Sequence, residues 1–304
     1  MITVFGSLNA DYVFAVEQLA RPGETGLGQE LSILPGGKGG NQALAARRAG
    51  AKVNMVGALG QDGNADVAVA GLRAAGINLD QIARVDAPTG MASIMVDAFA
   101  ENSIVVYPGA NQFARATQID DAQLKVGDTL VCQLEVPIVE IEQLLVRAKE
   151  NGVRTILNLA PAQPVSRTAL TSVDILIVNE TELADLRRQL GLPQTDSLTA
   201  SLQQVADLIG GAVISTLGAE GVCAWHGEQT YRVAALKVDA VDTVGAGDAF
   251  VGAFAAALDT GETFDRALHY GTVAGALTCT QPGAQTASSE SPKVTRPNFR
   301  QGRG

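Results

Sequence analysis

The sequence predicts an α/β protein with a mostly parallel sheet and helices on both of its faces. Three observations predict it. Short apolar runs alternate with helix-forming stretches along most of the chain. Several of those stretches stop at a Gly, the residue that most readily takes the left-handed turn after a helix. Hydrophobic residues make up 46% and charged residues 18% of 304 residues, enough to bury a sizeable core. A repeated strand-helix alternation places helices on the faces of a sheet whose strands run in parallel.

The elements follow in order. Ile2 to Phe5 is a short apolar strand ended by Gly6. Gly39 to Arg48 (GGNQALAARR) is helix-forming and stops at Gly50. Lys52 to Val56 is the next strand, and Ala65 to Ala75 a helix ended by Gly76. Thr129 to Gln133 is a strand, followed by a helix from Pro137 to Lys149 with Pro in its first turn. Val153 to Leu157 and Asp174 to Val178 are strands, Thr181 to Leu190 a helix and Ala212 to Thr216 a strand. Ala235 to Val241 is strand-like and precedes an apolar helix, Ala249 to Leu258. His226 sits before Gly227 in a hairpin turn, and His269 lies in a helix.

Two regions break the alternation. Ala10 to Leu34 has no helix signature and turns at Pro22-Gly23. Met91 to Tyr107 alternates weakly around a polar turn at Glu101-Asn102 and reads as a β-hairpin. The two are expected to form a small β lid on a single domain spanning residues 1–304. The alternative is that they add strands to the main sheet. From Ser288 onward the chain is polar, with Pro292, Pro297 and a basic end, and its last residues are expected to fray.

Composition excludes several classes. The formal net charge of −10 argues against a nucleic-acid partner, which a basic face would bind. No apolar run approaches the ~20 residues of a membrane span. The start, MITVFGSLNAD, lacks the basic region of a signal peptide, so a cytoplasmic location is expected. Cys132, Cys223 and Cys279 are far apart and sit among apolar neighbours, as buried thiols do. The two histidines have no Ser, Cys or second His at a telling spacing. Triad hydrolysis and His-rich metal sites are therefore poor expectations.

Chemistry concentrates in a few polar segments. Asp242-Thr243-Val244-Gly245-Ala246-Gly247-Asp248 opens the helix at Ala249. Small residues at 245–247 leave backbone N–H groups unobstructed at a helix N-terminus, which suits an anion. Asp248 stands beside that anion site, where a carboxylate can deprotonate an attacking hydroxyl in phosphoryl transfer. An acid there also complements the helix dipole, and the residue pattern alone supports either role. Pro35 to Ala43 (PGGKGGNQA) holds four glycines, a Lys and an Asn before a helix. It is not a Walker A loop, because Gly39 follows the Lys where Ser or Thr belongs. Such a loop suits a hydroxylated ligand, or it is a glycine-rich turn. Asn9 and Asp11 follow the first strand, where the crevice of a parallel sheet lies. Asn179-Glu180-Thr181-Glu182 opens a helix, and its acids also fit the dipole. Thr216 to Gly221 (TLGAEG) joins two strands and reads equally as a hairpin.

Together these segments resemble the ribokinase-like, or PfkB, family of carbohydrate kinases. Gly36 to Gly60 fits the family's N-terminal pattern, Gly50 and Gly60 included, and Asp242 to Phe254 fits its C-terminal pattern with the full GAGD. The resemblance runs from Ile2 to about Ala287. GSLNAD, GGKGGNQA, GAN (109–111), QLE (133–135), NETE and TLGAEG are most similar to its ribose-phosphorylating members. The resemblance implies a Rossmann-like αβα sandwich with a β lid, and transfer of the γ-phosphate of ATP to a sugar's primary hydroxyl. D-ribose going to D-ribose 5-phosphate is the expected reaction. Fructose, deoxyribose or a nucleoside is the near alternative, and a non-catalytic sugar sensor the distant one.

Carried over by motif, Asp248 is the catalytic base and Gly245, Ala246 and Gly247 form the anion hole. Asn9, Asp11, Gly37, Lys38, Asn41 and Glu135 contact the sugar. Asn179, Thr216, Gly218 and Gly221 border the nucleotide, and Glu182 approaches Mg²⁺ through water. Asp242, Val244 and Gly283 surround a monovalent cation, K⁺. Gln281 and Ala287 depart from the family's usual basic residue and Ser. Family members often dimerise through the lid, and exposed lid strands carrying Ile94, Val96 and Val105 predict a homodimer here.

Overall fold

A computed structural model describes residues 1–99, 101–281 and 283–285. Ala287 and the polar tail from Ser288 lie outside the described residues. In chain order the first elements are β1 (Ile2–Phe5), β2 (Asn9–Val16), β3 (Gly28–Gly36), α1 (Lys38–Arg48), β4 (Val53–Leu59), α2 (Gly63–Ala74) and β5 (Asn78–Arg84). Then come β6 (Gly90–Val96), β7 (Asn102–Tyr107), β8 (Thr129–Cys132), α3 (Ile138–Glu150), β9 (Arg154–Asn158) and the single turn α4 (Arg167–Leu170). The remainder is β10 (Ile175–Asn179), α5 (Glu180–Gln189), α6 (Leu198–Ile209), β11 (Ala212–Thr216), β12 (Val222–His226), β13 (Gln229–Val233), α7 (Ala246–Asp259) and α8 (Phe264–Thr278).

Nine strands form the main sheet in the order β13-β12-β11-β10-β9-β8-β1-β4-β5. It is parallel from β11 to β5, and β12 and β13 add an antiparallel edge. Side-chain alternation along β1 sends Ile2 and Val4 into one apolar cluster and Phe5 into the other. The first cluster holds buried residues of α1, α2, α7 and α8, and the second those of α3, α5 and α6. Both faces are therefore buried, as parallel sheets require. Each large side chain sealed inside, such as Phe254 or Ile141, contributes roughly 1.5–3 kcal/mol.

The irregular regions form a second sheet of four strands, β3-β2-β6-β7. β2 runs antiparallel to β3 and parallel to β6, with Asn9 opposite both Gly36 and Gly90. That junction is where the small sheet leaves the main one. Apolar side chains stand exposed on its outer strands: Leu31 and Ile33 on β3, and Ile104, Val105 and Val106 on β7. Ile94 and Val96 depart from expectation. Ile94 is buried and Val96 half-buried, because strand alternation turns them with Ala92 to the covered face.

Two further expectations are corrected, and one strand that was not expected is added. Ala235 to Val241 is not a strand but an exposed, irregular connection into α7. β13 pairs with β12 and stops at Val233, so no neighbouring strand meets the later segment. Asn78–Arg84, too polar to stand out as a strand, forms edge strand β5 beside β4. Cys279 is only half-buried at the end of α8, unlike buried Cys132 and Cys223.

Candidate active site

The carboxyl ends of β1, β8, β9, β10 and β11 converge on the start of α1 and α7, the place where open α/β sheets bind ligands. α7 begins at Ala246 after Gly245, whose φ of 78° is left-handed. A Cβ there would meet the Cβ of Ala284 at 2.4 Å, so this turn accepts Gly alone. Asp248 falls in the first turn of α7 and is buried, at 6% relative exposure.

Its carboxylate is held at both oxygens. Asn41 Nδ2 donates to Oδ2 at 2.9 Å and Gln42 Nε2 donates to Oδ1 at 2.9 Å, both from the start of α1. A pocket of about 130 Å³ opens beside it, lined by Lys38, Asn158, Asn179, Glu182, Thr216, Gly245 and Gly247 among others. A Cβ on Gly247 would meet nothing within 4 Å, which leaves room for a bulky anion at the helix start. The Ala246 amide donates to Thr243 O at a long 3.3 Å, so of the three anion-hole residues it is the one already engaged.

The expected sugar contacts gather near Asp248 and Glu135. Glu135 Oε2 accepts from Ser7 Oγ at 2.5 Å and from the Lys38 amide at 3.0 Å. Asn9 Oδ1 accepts from Asn111 Nδ2 at 2.8 Å, and Asn111 Oδ1 accepts from the Leu8 amide at 2.9 Å. Gly37 is the N-cap of α1. Asp11 packs against Gly36, and its Oδ1 is buried with no hydrogen-bond partner among the described residues. Burial, then the charges of Glu135 and Asp248, push the Asp11 carboxyl up to about 7. The Lys38 ammonium is pushed up, chiefly by Asp248 and against its own burial, with Glu135 and Glu182 adding to the field. One cation and four carboxylates thus share one region. An unpartnered carboxylate oxygen here suits a ligand rich in hydroxyl donors.

The remaining predicted residues fall into three places. Asn179 and Glu182 cap α5 reciprocally: Asn179 Oδ1 accepts from the Glu182 amide, and Glu182 Oε2 from the Asn179 amide, each at 2.8 Å. Both also line the pocket, so the capping role and the site are compatible. Burial raises the Glu182 carboxyl. Thr216 ends β11, and Gly218 and Gly221 bound the short turn into β12. Asp242 organises the loop before α7: Oδ1 accepts from Val244 N at 2.9 Å and Oδ2 from Gly283 N at 2.8 Å. That draws the three expected cation-loop residues together.

Sequence reasoning passed over Ser7, Gln42, Asn158 and Gln285, all of which bond within this cluster. Their signal was faint. Asn158 is a lone polar residue inside an apolar run (ILNLA), where burial demands a partner, whereas Ser7, Gln42 and Gln285 lie in mixed segments. A larger groove, about 1110 Å³, opens at the amino ends of β9, β10 and β11, lined by Lys149, Arg154, Asp174 and Trp225 among others. It contains none of the predicted residues.

A buried carboxylate beside an unobstructed helix start, with further polar and acidic side chains clustered near it, is an arrangement suited to moving a phosphoryl group onto an alcohol. Known proteins are similar across nearly the whole chain. The chain is 38% identical over 289 residues to the ribokinase of Haemophilus influenzae, covering 94% of both sequences. The crystal structure of ribokinase from Thermotoga maritima matches with a TM-score of 0.85 at 34% identity, covering 94% of each chain. The structure of Arabidopsis thaliana ribokinase complexed with ribose and ATP matches with a TM-score of 0.83 at 32% identity, over 93% of this chain and 94% of that one. Residues 1–292 match the family described as pfkB family carbohydrate kinase. With two apolar layers, a crevice at the strand ends and that match in agreement, the chain belongs to the pfkB family of carbohydrate kinases.

Proposed function

We propose that this chain is a cytoplasmic, ATP-dependent kinase that converts D-ribose to D-ribose 5-phosphate. The observation that supports the reading best is that Asp248, its carboxylate held by Asn41, lines one pocket with the open helix start at Gly245 and Gly247 and with Lys38. Asn9, Asp11, Lys38, Asn41 and Glu135 read the sugar's hydroxyls by directed hydrogen bonds. Asp248 takes the proton of the primary hydroxyl as its oxygen bonds to the γ-phosphorus. The bond from that phosphorus to the β-phosphate oxygen breaks, and ADP leaves. The amides of Gly245 and Gly247 stabilise charge on the transferring group, and Lys38 adds a positive field. The second sheet acts as a lid that excludes water and so limits wasteful ATP hydrolysis.

Mg²⁺ fits this site in the manner of a phosphate-bound ion. Among the described residues no group of three His, Cys, Asp or Glu side chains forms a cage. Glu182 and the phosphates of ATP are the donors that would hold it, with water between. When bound, the ion neutralises charge on the β- and γ-phosphate oxygens. An ADP-release assay across ribose, 2-deoxyribose, fructose and a nucleoside tests the reading. Fastest turnover on ribose is expected. Preference for another acceptor would reassign the substrate, and no turnover on any would remove the kinase assignment.

The loop held by Asp242 also suits a monovalent cation, because backbone carbonyls are its natural ligands and Asp242 supplies a formal charge. Turnover is therefore expected to be higher in potassium than in sodium or a bulky organic ammonium at equal ionic strength. Equal rates in all three would rule the site out. The exposed apolar strands β3 and β7 call for cover, and a second copy supplies it. Light scattering at micromolar concentration is expected to give a dimer mass, and substituting Val105→Lys to shift it toward the monomer. A monomer mass for the unaltered chain would refute the pairing.

A further inference from the structure

Gln42 has no place in the sugar or nucleotide contacts above, yet it is fully buried and grips the carboxylate that performs the chemistry. Its Nε2 donates to Asp248 Oδ1 at 2.9 Å and to Asn158 Oδ1 at 3.0 Å, while its Oε1 accepts from Gln133 Nε2 at 2.6 Å. These three bonds leave one orientation for the amide. Flipped, its oxygen would face two acceptor oxygens and its NH₂ would face the NH₂ of Gln133. Gln133 is itself fully buried at the end of β8. It fits because Gly6 has no side chain: a Cβ on Gly6 would lie 2.0 Å from Gln133 Oε1.

Neutral donors suit this task. Each holds a carboxylate oxygen in direction without an ion pair, and leaves a lone pair for an incoming hydroxyl. A base misplaced by ~1 Å costs on the order of 10²-fold in rate, so what fixes its orientation matters. Asn41 fixes Oδ2 and Gln42 fixes Oδ1. Gln42, unlike Asn41, borders neither ligand by motif. We propose that Gln42 is a positioning residue for phosphoryl transfer, aimed at Asp248 by Gln133, so that the end of β8 sets the direction of the base. The inference rests on Asp248 being that base.

Three variants of the full chain test it, by steady-state kinetics with ribose and Mg·ATP and by thermal unfolding. Gln42→Met keeps length and burial but removes the donor. It is expected to lower kcat roughly 10- to 100-fold while both KM values stay within about twofold. Gln133→Met touches neither substrate nor Asp248. It is expected to lower kcat by a smaller factor, roughly three- to tenfold, in the same direction. Because Gln133 acts through Gln42, the double variant should be no slower than Gln42→Met alone. Two losses that multiply, KM values that rise with the fall in kcat, or kcat within about twofold of the parent would each overturn the proposal. If Gln42→Met does not fold, Gln133→Met decides: unchanged kcat refutes the relay, and a kcat-only loss upholds it. Asp248→Asn separates the two readings. If it stays active, the base assignment itself fails. If it is inactive while Gln42→Met turns over normally, only the positioning role fails.

Discussion

Asp248→Asn is expected to lower kcat by about 10²- to 10⁴-fold, the usual cost of losing a general base, while ribose still binds. Asn has the shape of Asp but cannot accept the hydroxyl proton. The substitution also places an NH₂ group where a carboxylate oxygen accepted. Either Asn41 Nδ2 or Gln42 Nε2 then loses its acceptor inside a buried site. An unsatisfied buried donor costs about 1–3 kcal/mol, so a modest fall in Tm should accompany the loss of turnover. The check is kcat from ADP release together with ribose affinity from calorimetry. Retention of more than about a tenth of the parent kcat would take the base role away from Asp248.

Asp11→Asn is expected to act in opposite directions on binding and stability. The carboxyl of Asp11 is pushed up to about 7 by burial first, and by Glu135 and Asp248 second. The folded state therefore holds a proton between about pH 4 and pH 7 that the unfolded chain releases. Stability tied to that proton is fully present below about pH 4 and is lost as pH rises through about 7. Above that range the ligand-free protein buries an ionised carboxylate at a cost of up to roughly 4 kcal/mol, because each pH unit between the unfolded and folded values is worth about 1.4 kcal/mol. Asn carries no such penalty. The variant should melt several degrees higher than the parent at about pH 8, with the gap shrinking toward about pH 5.

Sugar binding moves the other way. A charge-assisted hydrogen bond is worth about 1.5–3 kcal/mol, so KM for ribose should rise roughly tenfold or more while KM for ATP changes little. In the parent, kcat/KM for ribose should rise as pH passes through about 7, and the variant should lack that rise. A Tm gap independent of pH would mean that Asp11 ionises normally, and equal effects on both KM values would move it out of the sugar pocket. On the proposed function the site gives up stability for recognition, because a raised, partnerless acid gains a donor when the sugar binds.

The main sheet was legible because its code is local. Apolar runs such as Ile2 to Phe5 and Ala212 to Thr216 must be buried on both faces, and a Gly soon after Arg48 or Ala75 marks where a helix ends. β5 escaped because an edge strand needs little apolar content, and NLDQIAR has little. Ala235 to Val241 misled for the complementary reason. Its residues favour a strand, but a strand exists only if a neighbouring backbone pairs with it along its length, and among the described residues only the Val241 amide finds such a partner, Cys279 O. The two halves of the small sheet could be recognised as β structure, yet whether they extended the main sheet or stood apart was a question of pairing partners, which local sequence does not encode.

The candidate site divides in the same way. By itself the sequence determined the reactive pieces: a small-residue helix start at Gly245 to Gly247, an acid one residue later, and polar side chains where parallel strands end. These are local facts, because the free amides of a helix start and the absence of side chains on glycine belong to a few consecutive residues. Only the tertiary structure decided what each piece touches. Asn41 and Gln42 lie 207 and 206 residues from Asp248 in the chain, and Gln285 lies 244 residues from Asn41, yet all of them bond in one buried cluster. Hydrogen bonds are directional and short, so their partners are chosen by how α1, α7 and the strand ends pack, and not by any spacing along the chain. The same packing leaves Asp11 Oδ1 without a hydrogen-bond partner among the described residues, and burial raises its carboxyl.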